Sequence, residues 1–319
     1  MAAVSAVPAP RPLASHPRLD ALVASARECA ASAPPALGLV HPCDTLALQA
    51  AARIAAAGIA RPLLVGPKEA ILAAADAAGI DARYFEIAAT GPAAPESAQR
   101  AVALARGGAL AALMKGSLHT DELMSAVVAR NTGLRGERRI SHAFVFDLPR
   151  YHKPIALADC VVNIAPNLAT KRDILGNAIE LLQRLGVARP KVGIVAAVET
   201  VNTAIPATLD AQALVAMARD GAWPGATVEG PFGFDNAFSA EAARVKKIES
   251  AVAGDADLLV VPDLNAGNML YKSFVYVGGG ECAGLVLGAR VPVVLTSRAD
   301  TLAARLASVA LAVLAAHRH

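Results

Sequence analysis

The stretch ALGLVHPCDTLALQAAARIAAAGIARPLLVGPKEA, residues 36–70, decides the fold. Two unbroken apolar runs, ALGLV (36–40) and PLLVG (62–66), flank a segment from about Thr45 whose apolar residues recur at helical spacing. Strands apolar at every position belong to a parallel sheet covered on both faces, and the helix between them is the crossover that parallel pairing needs. Outward from there, RYFEIA (83–88) precedes a helix near Glu96, and GALAALMKG (108–116) precedes one from Asp121 onward. The texture changes at ISHAFVFDL (140–148) and ALADCVVNIA (156–165), whose seven-residue separation is too short for a helical crossover and predicts an antiparallel pair. Thr170-Lys171-Arg172-Asp173 then reads as a capping box for a helix to Leu185, and KVGIVAAVET, ATVEGPFGFDNA and DLLVVPDLNAGN continue the alternation with helices. A last apolar strand, VPVVL (291–295), and a final helix return to the first sheet. The expectation is an α/β chain of two domains: residues 20–149 with 291–319 form the first, residues 150–290 are inserted as the second, and residues 1–19 are a disordered N-terminal extension.

Composition narrows the function classes. Of 319 residues 55% are hydrophobic, enough for sizeable cores, while a net charge of +3 and 4% aromatic content supply neither the basic field nor the stacking platform of a nucleic-acid binder. The most apolar run, residues 306–316, is too short to span a bilayer, and the proline-bearing start lacks the basic and apolar regions of a signal peptide. A cytoplasmic location is expected, with the four scattered cysteines as reduced thiols and no metal site, since neither cysteine pairs nor histidine spacings suggest one. A basic run, Arg135, Arg138, Arg139, Arg150 and Lys153, reads as a solvated loop or as a contact to a polyphosphate ligand. Gly278, Gly280 and Ala283 match G-x-G-x-x-A only in form, because they follow a helix where a dinucleotide fingerprint must follow a strand.

Open parallel sheets bind ligands beyond the carboxyl ends of their strands, and four polar clusters fall at such ends. Lys115, Ser117, His119 and Thr120 follow one strand, where Thr120 also suits a plain helix cap. Asp235 and Asn236 sit in a Gly-rich turn, and turn chemistry alone also accounts for them. Asp263, Asn265, Gly267 and Asn268 are dense enough to let backbone N–H groups converge on an anion. Finally, Ser297-Arg298-Ala299-Asp300 reads as a capping box worth about 1 kcal/mol, yet a cation at a helix N-terminus is opposed by the dipole unless an anion shares the site. The fork of Arg298 matches phosphate oxygens, with a solvent-facing arginine as the plainer reading.

Taken in order, KGSLHTDEL, ADCVVNIAPN, VEGPFGFDNA, VPDLNAGNMLYK and LTSRAD resemble the phosphate acetyltransferase/phosphate butyryltransferase family, in its short form, from about Leu37 onward. The resemblance implies an isocitrate/isopropylmalate dehydrogenase-like fold with an interdomain cleft, a homodimer or higher homo-oligomer, and no permanently bound cofactor or metal. It implies reversible acyl transfer, acyl-CoA plus phosphate giving acyl phosphate plus CoA, with acetyl or butyryl as the acyl group. Under that resemblance Arg298 grips the phosphoryl group and Ser297 bonds the sulfur or oxyanion, while Asn265, Gly267, Asn268, Cys160, Asn163 and Lys272 fall in the family's cleft words. Larger members carry an acid several residues after the serine-arginine pair. Ala303 and Ala304 stand there in this sequence, which leaves Asp300 or His119 as the general base. Those members also carry an arginine after the H-T pair, where Met124 and Ser125 stand. A dehydrogenase on the same fold would need metal-binding aspartates on one helix, which Asp235, Asp255, Asp257 and Asp263 do not supply. The other reading is a catalytically weakened CoA-binding or regulatory protein of the same fold.

Overall fold

The computed structural model describes residues 16–295, 297 and 300–317. Among these, eleven strands form one sheet in the order β3-β2-β1-β4-β11-β10-β5-β6-β9-β7-β8. The stretch at 36–70 folds as read. β1 (Ala36–Val40) pairs in parallel with β2 (Arg61–Gly66), and α2 (Thr45–Ala57) crosses between them. The carboxylate of Asp44 accepts the Ala47 N–H at 2.7 Å to start that helix, and Gly58, at φ 70°, ends it in the left-handed conformation that a side chain would resist. β3 (Glu86–Ala89) and β4 (Ala112–Lys115) extend the parallel half, with α3 (Lys68–Ala77), α4 (Ala94–Arg106) and α5 (Thr120–Val127) as connections.

At the centre β5 (Ser141–Asp147) and β6 (Ile155–Ala158) form the expected antiparallel pair. β10 (Glu281–Leu287) lies antiparallel to β5 on its other side and to β11 (Val293–Val294), which rejoins β4 in parallel. β7 (Lys191–Val195), β8 (Thr227–Phe232) and β9 (Leu258–Val260) complete a second parallel run with β6. These antiparallel joints reverse the strand direction across the middle. The carboxyl ends of β1, β4 and β11 therefore emerge at one edge of the sheet, and those of β6, β9, β7 and β8 at the other.

Three expectations about boundaries change. α1 (Pro17–Ala30) begins inside the supposed extension, with Leu19 buried and Arg18 paired with Asp147 at 2.8 Å. α6 (Leu168–Arg184) starts before the supposed box at Thr170, because the side chain of Asn167 accepts the Thr170 N–H at 2.9 Å. α11 (Leu302–Ala316) starts after Ser297: Thr301 is its cap, accepting the Ala304 N–H at 3.0 Å. α11 packs on α1 and β10 through Ala307, Ala310, Leu311 and Val313, whose mostly small side chains let the helix lie close to the sheet. The basic run divides. Arg138 pairs with Glu180 at 2.7 Å and Lys153 with Asp255 and Asp257, so carboxylates of the chain itself meet these cations. Gly278 and Gly280 follow α10 (Leu264–Tyr276) and lead into a strand, against a dinucleotide loop. No helix among the described residues is long and apolar enough to cross a membrane.

Candidate active site

The first group of functional side chains stands where β1, β4 and β11 end. Lys115, the last residue of β4, is nearly buried, and its ammonium donates to the carbonyls of Gly116 and Leu118 at 3.3 and 3.1 Å. Ser117 is a tie between loops: its Oγ donates to the His41 carbonyl at 2.6 Å and accepts the Cys43 N–H at 2.9 Å. Both hydroxyl functions are thus engaged with backbone. His119 is the N-cap of α5, exposed, and its N–H donates to the Glu122 carboxylate at 2.7 Å. Thr120, read as the cap, is instead the first helical residue, because the Glu122 side chain reaches back to His119.

Beside this group runs the loop before α11. The N–H of Ser297 donates to Asp300 Oδ2 at 2.6 Å, so the S-x-x-D pair does meet, but it closes a loop rather than a helix. Arg305, only 5% exposed although charged, reaches back from α11: Nη2 donates to the Ser297 carbonyl at 2.6 Å and Nε to that of Asp300 at 3.4 Å. Burial raises the pKa of Asp300; the Ser297 N–H, Arg305 and Lys115 pull it back without cancelling the rise, and Glu281 adds to it. Arg298 lies outside the described residues. Arg305 was missed by sequence reasoning. The signal available was a single cation within the apolar run of α11, a position where arginine persists only if its donors are used.

The second group stands at the opposite edge, where β6 and β9 end. Asp159, buried, accepts the N–H groups of Val161 (2.9 Å), Val162 (3.0 Å) and Asn163 (3.3 Å), and the Asn163 amide at 2.7 Å. Asn163 also donates to the Ile140 carbonyl at 3.0 Å, so its amide fastens the loop to the chain before β5. The Cys160 thiol is fully buried and burial pushes its pKa well up, which makes it a poor nucleophile; its carbonyl accepts the Asn268 amide at 3.3 Å. Asp263 caps α10, accepting the Ala266 N–H at 2.9 Å, and the Gly267 N–H goes to the Asp263 carbonyl. Those two amides are therefore engaged in the helix start rather than collected around an anion. Asn265 and Lys272 lie exposed on α10.

Gly267 is where α10 touches the β6 loop. A Cβ there would stand 2.8 Å from Val261 Cγ2, 2.9 Å from the Asp159 carbonyl and 3.1 Å from Cys160 Cα. Two of these neighbours are backbone and cannot turn away. Gly267→Ala is expected to cost about 2 kcal/mol. Urea denaturation reads it, and an unchanged midpoint refutes the close-approach role.

Asp235 and Asn236 join neither group. Asp235 pairs with Lys246 at 3.1 Å with its side chain 54% exposed, and the buried Asn236 amide donates to Glu199 at 3.4 Å while its Oδ1 has no hydrogen-bond partner. α10 connects the other two groups. Asn268 sits against Cys160, and Tyr271, one turn further on the same side of the helix, comes close enough to Asp300 for that carboxylate to help hold its phenol above the ordinary range, an effect led by burial.

Residues 91–313, about 70% of the chain, match the family described as Phosphate acetyl/butaryl transferase. A phosphate acetyltransferase of Rhizobium meliloti is 49% identical over 301 residues, covering 94% of each chain, and a phosphate butyryltransferase of Clostridium acetobutylicum is 37% identical over 81% of this chain and 86% of that one. The crystal structure of a branched-chain phosphotransacylase from Enterococcus faecalis V583 superposes with a TM-score of 0.79 at 30% identity, covering 89% of this chain and all of that one. The chain belongs to the phosphate acetyl/butyryl transferase family.

Proposed function

We propose that this chain catalyses reversible acyl transfer between coenzyme A and inorganic phosphate. The observation that carries the reading is the family match across residues 91–313 together with near-full-length identity to a phosphate acetyltransferase. In one direction a phosphate oxygen attacks the thioester carbonyl, the C–S bond breaks, and the CoA thiolate leaves and takes a proton; the reverse runs through the same tetrahedral oxyanion. Arg298 grips the phosphoryl oxygens, and Ser297 hydrogen-bonds the sulfur or the oxyanion. Asp300 takes the thiol proton during attack on acyl phosphate, with His119 the other candidate. Lys115 adds fixed positive charge at the same strand ends.

The burial and raised pKa of Cys160 favour direct attack within a ternary complex over an acyl-enzyme. The reaction as read needs no resident cofactor or metal. CoA, acyl-CoA, phosphate and acyl phosphate are the partners, held in a cleft between two domains arranged as in isocitrate and isopropylmalate dehydrogenases, in a cytoplasmic homodimer. Asn265, Asn268 and Lys272, on α10, are the CoA-side contacts, and the ties made by Ser117, Asn163 and Asp263 hold the surrounding loops in place. The test is thiol release from acetyl-CoA and from butyryl-CoA with and without phosphate. Phosphate-dependent release from at least one is expected; none from either, with CoA still binding by calorimetry, supports instead a CoA-binding protein without turnover.

A further inference from the structure

The face of the sheet beneath α10 carries an aromatic surface between the two polar groups. On β5 His142, Phe144 and Phe146 point to this face, in register with Val286, Gly284 and Cys282 of β10. Phe144 lies flat on Tyr271 of α10, ring centroids 4.3 Å apart and planes 9° apart, and takes the edge of His142 at 4.4 Å and 62°. Its position depends on Gly284. A Cβ at that residue would stand 2.7 Å from Phe144 Cε1 and 3.1 Å from His142 Cε1, so the ring rests directly on backbone.

Burial separates this stack from the core around it. Phe146, Leu148 and Cys282 are buried, whereas Phe144 and Tyr271 each keep accessible surface. Beneath them His142 is buried with Nδ1 lacking any hydrogen-bond partner, and burial holds its pKa down to about 4, so the ring is neutral and the floor carries no charge at neutral pH. Toward the start of β10 the stack approaches Asp300, which acts on the Tyr271 phenol, and there Glu281 accepts the Thr301 hydroxyl at 3.1 Å. In the other direction α10 leads to Asn268. A thioester carbonyl presented to the charged loop must turn its alkyl tail away from Asp300 and Lys115, and uncharged aromatic surface is what an alkyl tail prefers.

We propose that the Phe144–Tyr271 stack, seated on Gly284, is the floor against which the acyl chain is measured, and so sets chain-length preference; this rests on the acyl-transfer reading above. The floor should move in opposite directions with two substitutions. Phe144→Ala lowers it and is expected to raise the ratio of kcat/KM for butyryl-CoA to that for acetyl-CoA by about tenfold, the scale of one or two methylenes in an apolar pocket. Gly284→Ala pushes the ring up toward Tyr271 and is expected to lower that ratio. Should Phe144→Ala not fold, Tyr271→Leu, which trims a half-exposed ring, takes its place with the same expected sign. Opposite shifts support the gauge; a ratio unchanged in folded variants that still turn over, with both substrates falling equally, overturns it while leaving acyl transfer intact. A wild-type protein inactive on both acyl-CoAs overturns both.

Discussion

Asp300→Asn is expected to lower kcat for CoA attack on acyl phosphate by about 100-fold, the usual contribution of a positioned general base, and to remove the acidic limb of the pH profile. The argument starts from the environment of the carboxylate. Burial raises its pKa, with Glu281 adding, against the Ser297 N–H, Arg305 and Lys115, and the net effect is a rise. A base works only when deprotonated, so the rate falls as pH drops through that raised value, and the limb lies above the ordinary aspartate range. Stability runs the other way. The fold favours the protonated acid, so this group's contribution is greatest below its unfolded pKa and is lost as pH rises through the folded one. Asn keeps an oxygen to accept the Ser297 N–H and carries no charge to bury. The denaturation midpoint near pH 7 is therefore expected to hold or rise while activity collapses. An intact acidic limb in the variant would transfer the base role to His119, and activity near wild type would remove Asp300 from the chemistry.

The βα alternation was legible because fully apolar strands and helical periodicity are local signals, as was the seven-residue gap before β6; the caps at Asp44 and Gly58 came only with the structure. β10 was not. Its sequence follows three glycines and holds Gly284 inside, which weakens strand signal, and it is defined by pairing with β5, more than a hundred residues earlier. The same gap separates the site's identity from its geometry. Ser117, Asp263 and Asp300 were readable as polar residues at strand ends, and Asn163 only through the family resemblance. Three of them spend their side chains on backbone ties whose partners come from distant loops or helix starts, and no periodicity reports that. The capping reading of Ser297 failed for a tertiary reason: Thr301 takes the cap, and a guanidinium one turn into the helix holds the preceding loop.

That guanidinium carries the second large effect. Arg305 is nearly buried among apolar residues of α11, and its donors go to the carbonyls of Ser297 and Asp300. Burial lowers its pKa, with Asp300 and Asp44 opposing, yet arginine stays ionised, so the charge is retained and its hydrogen bonds are charge-assisted. Arg305→Met fills much the same volume without donors. It takes the charged donor from both carbonyls, although that of Ser297 still accepts the Asp300 N–H at 3.2 Å, and it removes the cation whose pull on Asp300 exceeds that of Lys115, at an expected cost of about 3 kcal/mol. Because the loop it holds includes Ser297 and Asp300, kcat/KM is expected to fall by about 100-fold, the scale on which slight misplacement of reacting groups acts. A purely structural role would lower stability alone. The positioning role adds a signature: with the cation gone, the pKa of Asp300 rises further, and the acidic limb of the residual activity moves to higher pH. Arg305→Lys, which keeps the charge but not the fork, should leave the limb near its wild-type position while recovering only part of the rate. An unmoved limb in Arg305→Met, measured where the variant is still folded by circular dichroism, would reduce Arg305 to a packing residue.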